Sequence, residues 1–246
     1  MLVRVNLISL IEGMINMNEE IKVPKNVGLI MDGNGRWATL RSLPRYLGHT
    51  SGMINMLKVM VELFELGAEN VACYSLSTEN LNRDQEEVAH ILKLVLHYFD
   101  KFIEVCKEHK ICAKMVGNLD LFPEEVKNSL LKTESILSEF EGMGRTVYVA
   151  VAYGSRDEII SAINKAIKKG EEVTEESFLK SLYLPMDLDL IIRTGKEKRL
   201  SNFFLYQASY AEIYFSDKYF PDFNKDDLLE IFDWYSKRKR KYGLVE

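Results

Sequence analysis

The chain has 246 residues, 47% of them hydrophobic and 28% charged, with 32 lysines and arginines against 37 acidic residues and a formal net charge of −5. That length suits one large α/β domain or two small ones, and the five scattered prolines leave no linker to divide it. The acidic balance excludes a nucleic-acid binder that works by bulk charge, while leaving room for a local basic pocket for a small anion.

Residues 1–23 read as an N-terminal extension. Val3, Val5, Leu7, Ile8, Leu10, Ile11 and Ile15 are interrupted by Glu12, too short and broken for a membrane span. They also lack a small-residue cleavage site after a clean apolar core. An amphipathic helix docking on the body, or a surface contact, is the expectation.

The first strand is Val27 to Met31, and it ends abruptly in Asp32-Gly33-Asn34-Gly35-Arg36-Trp37. In an open α/β sheet, ligands bind beyond the carboxyl ends of the strands. Glycines there let backbone N–H groups turn toward a phosphate. A carboxylate can hold Mg²⁺ and an arginine can grip phosphate oxygens as a fork. The same composition also fits an ordinary strand-ending turn, and this loop alone does not decide between the two.

Further strands are expected at Val71 to Leu76, Ile111 to Val116, Thr146 to Ala152, Leu188 to Arg193 and, shorter, Glu212 to Ser216. Helices are expected at Thr50 to Leu66, Gln85 to Lys110, Pro123 to Phe140, Ser155 to Lys169 and Lys225 to Lys241. This alternation predicts a single α/β domain with a central, mostly parallel six-stranded sheet flanked by helices. Cys73, Cys106 and Cys112 have neither paired spacing nor a nearby set of histidines. They read as buried thiols of a reduced, cytoplasmic compartment rather than as disulfides or metal ligands.

Three later strand ends repeat the chemistry of the first. Ser77-Thr78-Glu79-Asn80-Leu81-Asn82-Arg83 follows the second strand, Tyr153-Gly154-Ser155-Arg156-Asp157 the fourth, and Arg193-Thr194-Gly195-Lys196-Glu197-Lys198-Arg199-Leu200-Ser201-Asn202 the fifth. Any one of these is ordinarily a solvated turn. Three in phase with the strands describe an anion site, in which Arg193, Arg199 and Ser201 can clamp a diphosphate and Lys196 and Lys198 add point charges. The apolar stripes of two helices suit either plain core or a channel. One runs through Val88, Ile91, Leu92, Val95, Leu96, Phe99, Phe102 and Ile103, the other through Met53, Met56, Leu57, Met60, Val61 and Phe64.

Taken together these stretches resemble the cis-prenyltransferases, the family of undecaprenyl and dehydrodolichyl diphosphate synthases. The resemblance is carried by Met31 to Ala38, Gly48-His49, Ser77 to Asn80 with Arg83, Tyr153-Gly154, Ile192 to Thr194, Arg199 to Phe203, Gln207, Tyr210 to Glu212 and Tyr219 to Phe223. These pieces stand in the family's order from about residue 24 onward, so residues 24–246 are expected to form a catalytic domain with the undecaprenyl diphosphate synthase-like fold.

The resemblance implies condensation of isopentenyl diphosphate units onto an allylic diphosphate primer, farnesyl or geranylgeranyl diphosphate, giving a Z-polyprenyl diphosphate with Mg²⁺ as cofactor. It implies Asp32, Asn34 and Ser77 as catalytic residues, with Asp32 and Glu212 serving the metal. Gly33, Gly35, Arg36, Arg45 and His49 would cradle the primer's diphosphate, and Arg193, Arg199 and Ser201 that of isopentenyl diphosphate. Trp37, Glu79, Asn80, Leu81 and Arg83 complete the expected substrate-binding set. The resemblance further implies a homodimer and peripheral membrane contact through the lipid product. Bulky Tyr98, Phe99 or Phe102 at a channel floor would shorten that product.

Three positions depart from the family pattern: Asp84 follows Arg83 where proline is usual, Lys196 replaces a glycine, and Lys241-Tyr242-Gly243 replaces Arg-x-Gly. Asp226-Asp227 superficially matches the aspartate-rich motif of the all-helical trans-prenyltransferases, but reads better as acids complementing a helix dipole. Non-catalytic partner subunits of this family typically lack the Asp and Arg of the first loop, which are present here, and an anion-binding protein without transfer activity is a weaker rival.

Overall fold

The alternation of apolar runs and amphipathic stretches builds one sheet, ordered β3-β4-β2-β1-β5-β6. Its strands are β1 (Asn26–Ile30), β2 (Asn70–Ser77), β3 (Cys112–Val116), β4 (Thr146–Tyr153), β5 (Leu190–Arg193) and β6 (Glu212–Phe215). The computed structural model describes residues 22–82 and 85–239. All six expected strands are present, and every adjacent pair is parallel, so the sheet is wholly rather than mostly parallel.

Side-chain alternation sorts the strands into two buried layers. Val27, Leu29, Val71, Cys73, Val147, Val149, Leu190 and Ile192 pack on one face. Ile30, Ala72, Tyr148, Ala150 and Ile191 pack on the other, against Leu188, Phe203 and Phe204. Burial on both faces is why the strands read as unbroken apolar runs rather than as an apolar/polar alternation. Cys73, Cys106 and Cys112 are buried and free, and burial pushes the Cys73 and Cys106 thiols up to about 12.

The described residues form seven α-helices: α1 (Asn34–Leu40), α2 (Arg45–Glu65), α3 (Gln85–Glu108), α4 (Glu124–Leu137), α5 (Ser155–Lys169), α6 (Glu175–Ser181) and α7 (Lys225–Ser236). Apolar faces of α2, α3, α4 and α7 cover the first layer through Met60, Phe102, Leu130 and Ile231. Asp226 and Asp227 lie in the first turn of α7, where Asn224 and Asp227 form a capping box. This matches their reading as helix-start acids.

Two helices depart from the pattern reading. α2 begins at Arg45, five residues earlier than expected, after Pro44. The glycines of this first stretch meet a packing requirement, because a Cβ on Gly48 would lie 2.0 Å from the Asn34 carbonyl oxygen and one on Gly52 2.4 Å from Asn34 Oδ1. α1 was read as part of a loop, since Asn34-Gly35 carries turn residues rather than helix formers. Residues 1–21, Arg83, Asp84 and the tail from residue 240, including Lys241 to Gly243, lie outside the described residues.

Candidate active site

The chain leaves β1 toward β2 on one side, while β5 on the other side leads outward to β6. Such a divergence opens a crevice at the carboxyl ends of the strands. Here the crevice is a cavity of about 1170 Å³, lined by the loops after β1, β2 and β5 and by faces of α2 and α3. Among the described residues, five arginines (36, 45, 156, 193 and 199) meet three carboxylates in its wall, Asp32, Glu79 and Glu197. The cavity is therefore cationic within an acidic protein.

Asp32 sits at the centre of the polar end. Gly33, the residue before α1, adopts φ 103°, and a Cβ there would meet the Tyr219 ring at 2.4 Å; only glycine fits this turn. The Asp32 carbonyl accepts hydrogen bonds from Thr194 Oγ1 at 2.8 Å and from the Phe220 N–H at 3.2 Å. Three segments distant in sequence thereby fix the backbone of the loop. The Asp32 carboxylate accepts from Arg36 Nη2 through Oδ1 and from Arg193 Nη2 through Oδ2, each at 2.9 Å. Arg193 is 5% exposed and donates further to Ser201 Oγ at 2.8 Å and to the Arg199 carbonyl.

Glu197 continues this network. It accepts from Arg36 Nη1 at 2.8 Å and from Arg199 Nη1 at 2.6 Å. The hydrogen bond and charge of Arg199, then those of Arg36, hold the Glu197 carboxyl below its usual range. Burial works against the Arg36 cation, but its bonds to Asp32 and Glu197 outweigh that and raise its pKa. Arg45 lies over Gly35, whose hypothetical Cβ would stand 2.9 Å from the guanidinium carbon.

The end of β2 supplies another wall. Its register against β4 shifts between Tyr74, Leu76 and Ser77, and such a bulge re-aims side chains that strict alternation would send to opposite faces. Tyr74, Ser75, Leu76 and Ser77 all line the cavity as a result. Ser77 Oγ accepts from the Asn80 N–H at 3.1 Å, and Asn80 Oδ1 accepts from the Ser77 N–H at 3.3 Å, which locks the turn. Glu79 accepts from Asn202 Nδ2 at 3.0 Å, tying this turn to the loop after β5. Burial opposes its ionisation, but the hydrogen bonds it receives from its own N–H, Asn202, Ser77 and Thr78 bring its pKa down.

Away from the charges the wall becomes apolar, formed by Met53 and Met56 of α2 and Ile91, Leu94 and Val95 of α3. The two helical stripes are therefore core in part and cavity wall in part. Phe102 is buried in the core, Phe99 packs against it, and neither they nor Tyr98 are among the lining residues.

Most of the expected site converges. Asp32, Gly33, Asn34, Gly35, Arg36, Arg45, His49, Ser77, Glu79, Asn80, Arg193, Arg199 and Ser201 all line the one cavity. Two expected residues lie outside the cavity, and a third, expected near a dimer interface, stands apart from Asp32 within one chain. Trp37 lies outside it: its Nε1 donates to Asp222 at 2.7 Å and its ring stacks under Arg41, because the helical turn of α1 carries it away from the Asp32 face. Leu81 packs against the core. Glu212 begins β6 in register with Leu190, which itself pairs with Val27, while Arg193 pairs with Ile30. The sheet thus holds Glu212 at least about 10 Å from Asp32 along the strand direction, where it pairs with Arg238 at 3.0 Å. Within one chain it does not join Asp32. Arg83 lies outside the described residues.

Arg156 brings the strand end after β4 into the cavity wall as expected, and Glu197, Tyr74 and Leu94 line it beyond the expected residues. The available signal for Glu197 was its place four residues after Arg193 in the same loop; it was hidden in the charged run Lys196 to Arg199.

The donor set fits Mg²⁺ in one manner. The described residues contain no cluster of three or more His, Cys, Asp or Glu side chains, so no protein cage exists among them. Mg²⁺ commonly needs only one or two carboxylates when substrate phosphates complete its shell. The Asp32 carboxylate, 27% exposed, retains a lone pair on each oxygen beside its arginine bonds.

Comparison with known proteins agrees with this geometry. The family model described as "Putative undecaprenyl diphosphate synthase" matches residues 30–243. The isoprenyl transferase of Thermotoga maritima is 40% identical over 230 residues, covering 91% of this chain and 98% of that protein. That of Fusobacterium nucleatum is 39% identical over 229 residues, covering 92% and 99%. Among solved structures, lavandulyl diphosphate synthase from Lavandula x intermedia, in complex with dimethylallyl diphosphate, aligns with a TM-score of 0.84 at 30% identity, covering 90% of this chain and 99% of its own. A probable undecaprenyl diphosphate synthase from Campylobacter jejuni aligns at 0.78 and 33%, covering 93% and 100%. A cationic, carboxylate-centred crevice opening into an apolar trough, on this fold and with these relatives, makes the chain an enzyme of the undecaprenyl diphosphate synthase family of prenyltransferases.

Proposed function

We propose that the protein elongates an allylic diphosphate primer, farnesyl or geranylgeranyl diphosphate, with isopentenyl diphosphate units to give a Z-polyprenyl diphosphate. One observation carries this reading: a single cavity joins a polar end of converging arginines around Asp32 to an apolar end between α2 and α3. A substrate with a diphosphate head and a growing hydrocarbon tail needs both.

Arg193, Arg199 and Ser201 hold the diphosphate of the incoming unit. Arg36, Arg45 and the Gly33–Gly35 turn hold that of the primer, with His49 beside them. Asn34 and Ser77 orient the reacting carbons between the two. The double bond of isopentenyl diphosphate forms a new C–C bond to the allylic carbon as the C–O bond to diphosphate breaks, and transfer of one proton to an oxygen of the released diphosphate leaves its bonding pair as the cis double bond. Negative charge grows on the leaving diphosphate, and fixed guanidinium groups stabilise it without reorganising. Mg²⁺ held by Asp32 and the substrate phosphates would supply further neutralising charge at the same oxygens. The tail then advances along Met53, Ile91, Leu94 and Val95.

Two further parts of the reading concern assembly. A homodimer is supported by β6, an edge strand only partly buried along its whole length. Membrane contact would be peripheral and made through the lipid product; among the described residues no helix is long and apolar enough to cross a membrane.

The test is incorporation of labelled isopentenyl diphosphate with farnesyl or geranylgeranyl diphosphate and Mg²⁺, with products separated by chain length. Growth of a polyprenyl ladder is expected. No incorporation with either primer would overturn the reading.

A further inference from the structure

The loop after β5 contains a carboxylate that none of these roles uses. Glu197 stands between two arginines, with Oε1 2.8 Å from Arg36 Nη1 and Oε2 2.6 Å from Arg199 Nη1. Arg36 reaches the other way to Asp32, and Asp32 reaches on to Arg193. Five charges of alternating sign, Arg193, Asp32, Arg36, Glu197 and Arg199, therefore cross the polar end of the cavity in one line. Arg36, assigned to the primer, stands in the middle of that line, and Arg193 and Arg199, assigned to the incoming unit, stand at its ends.

A carboxylate whose two oxygens each take one guanidinium reproduces the acceptor pair of a phosphate group. The two partners of Glu197 are also the more exposed arginines of the line, at 39% for Arg36 and 60% for Arg199, and Glu197 is itself 30% exposed. Its contacts can be exchanged with solvent at small cost. Asp32, by contrast, is anchored through the nearly buried Arg193.

We infer that Glu197 is a stand-in for diphosphate oxygens: it holds Arg36 and Arg199 in place while the site is empty and gives them up when a diphosphate binds. The identity of the natural anion rests on the prenyl-transfer reading; the exchange itself does not. Without the stand-in, two neighbouring cations would repel and turn into solvent, and ordering them again would cost side-chain freedom on binding. With it, binding swaps one anion for another. The neighbouring Lys196 is engaged elsewhere, its Nζ 5.5 Å from the Tyr219 ring that also faces Arg36.

The experiment is calorimetric titration of the full chain with inorganic pyrophosphate, comparing wild type, Glu197→Gln and Glu230→Gln. Glu197→Gln keeps the shape and removes the competing charge, so pyrophosphate should bind about three- to ten-fold more tightly, the scale of two partly exposed ion pairs. Glu230→Gln removes one negative charge outside the cavity without freeing an arginine, its carboxylate accepting from the Tyr214 hydroxyl, and should change binding much less. Pyrophosphate binding no tighter in Glu197→Gln than in wild type, as a merely structural role would give, overturns the inference. So does equal tightening in both variants, which would mean bulk charge alone. Failure of the wild type to incorporate isopentenyl diphosphate would instead sink the prenyl-transfer reading, leaving the pyrophosphate titration to decide the role of Glu197.

Discussion

Arg193 Nη2 meets Asp32 Oδ2 at 2.9 Å across the carboxyl ends of β5 and β1, where Arg193 and Ile30 are register partners. The sheet therefore sets the separation between the carboxylate assigned to the leaving group and the guanidinium assigned to the incoming diphosphate. The first turns of α1 and α2 and the loops after β2 and β5 contribute the remaining groups around this pair.

Asp32→Ala removes the centre of that arrangement and leaves Arg193, at 5% exposure, without its carboxylate. The stability loss should fall between that of a surface and a fully buried pair, about 1–3 kcal/mol. Incorporation of labelled isopentenyl diphosphate should fall by at least about 10²-fold, the scale seen when a preorganised electrostatic group is removed. Thermal melting distinguishes the two effects. A variant that no longer folds would return Asp32 to the status of a structural turn.

Ser201 Oγ takes one N–H of Arg193 at 2.8 Å. Ser201→Ala should raise KM for isopentenyl diphosphate about ten-fold, one hydrogen bond to a charged group, with kcat changed little. A fall in kcat at unchanged KM would place Ser201 in the chemical step instead.

Chain length should respond to the wall of the cavity and not to the core behind it. Leu94→Trp and Val95→Phe should shift the product ladder to shorter lengths, because both residues line the apolar end. Phe102→Ala should leave the ladder unchanged and cost about 3–5 kcal/mol in denaturant unfolding, as large core truncations do. A longer product from Phe102→Ala would show that the trough extends beneath α3.

Gly52→Ala tests the seating of Asn34 without touching any charged group. The added Cβ would fall 2.4 Å from Asn34 Oδ1, so the amide must move. Turnover should drop by an amount similar to Asn34→Ala, while the melting temperature shifts by only a few degrees. Wild-type turnover in Gly52→Ala would mean that the position of Asn34 is unimportant.

Glu158 provides a pH dependence. It is buried beneath the loops, with Tyr153 Oη donating to it at 2.5 Å and the Tyr183 N–H at 2.6 Å. Burial raises its pKa above the usual carboxylate value, although these hydrogen bonds and that from Gln207 pull the other way. The protonated form is therefore favoured by folding. Its contribution is fully present below the unfolded pKa and is lost as pH rises through the folded one. Denaturant melts should show the stability of wild type relative to Glu158→Gln declining from acidic to neutral pH. A difference that grows with pH would reverse the sign of the shift.

Much of this protein was legible locally. The apolar runs located β1 to β5, because burial on both faces of a parallel sheet leaves no polar alternation to confuse them with; the partly buried edge strand β6 shows only as a shorter run. The types of residue at the strand ends, Asp32-Gly33, Ser77 and Arg193 to Ser201, named the polar half of the cavity, because anion chemistry demands those groups wherever they lie. Helix periodicity located the trough but could not separate Val95, in the cavity wall, from Phe99, in the core, since both lie on the same stripe.

What the sequence could not determine depends on distance across the fold. Glu212 shares a residue type with Asp32, yet the register of β5 with β6 places it toward the opposite end of the sheet. Trp37 and Leu81 lie within the right motifs, but the twist of α1 and the core contact of Leu81 turn them away from the cavity. Within the sequence Glu197 is one charge in a solvated run; tertiary structure sets Arg36, from α1 and 161 residues earlier, against it. Local pattern records what a residue can do, and only strand register and packing decide which residues do it together.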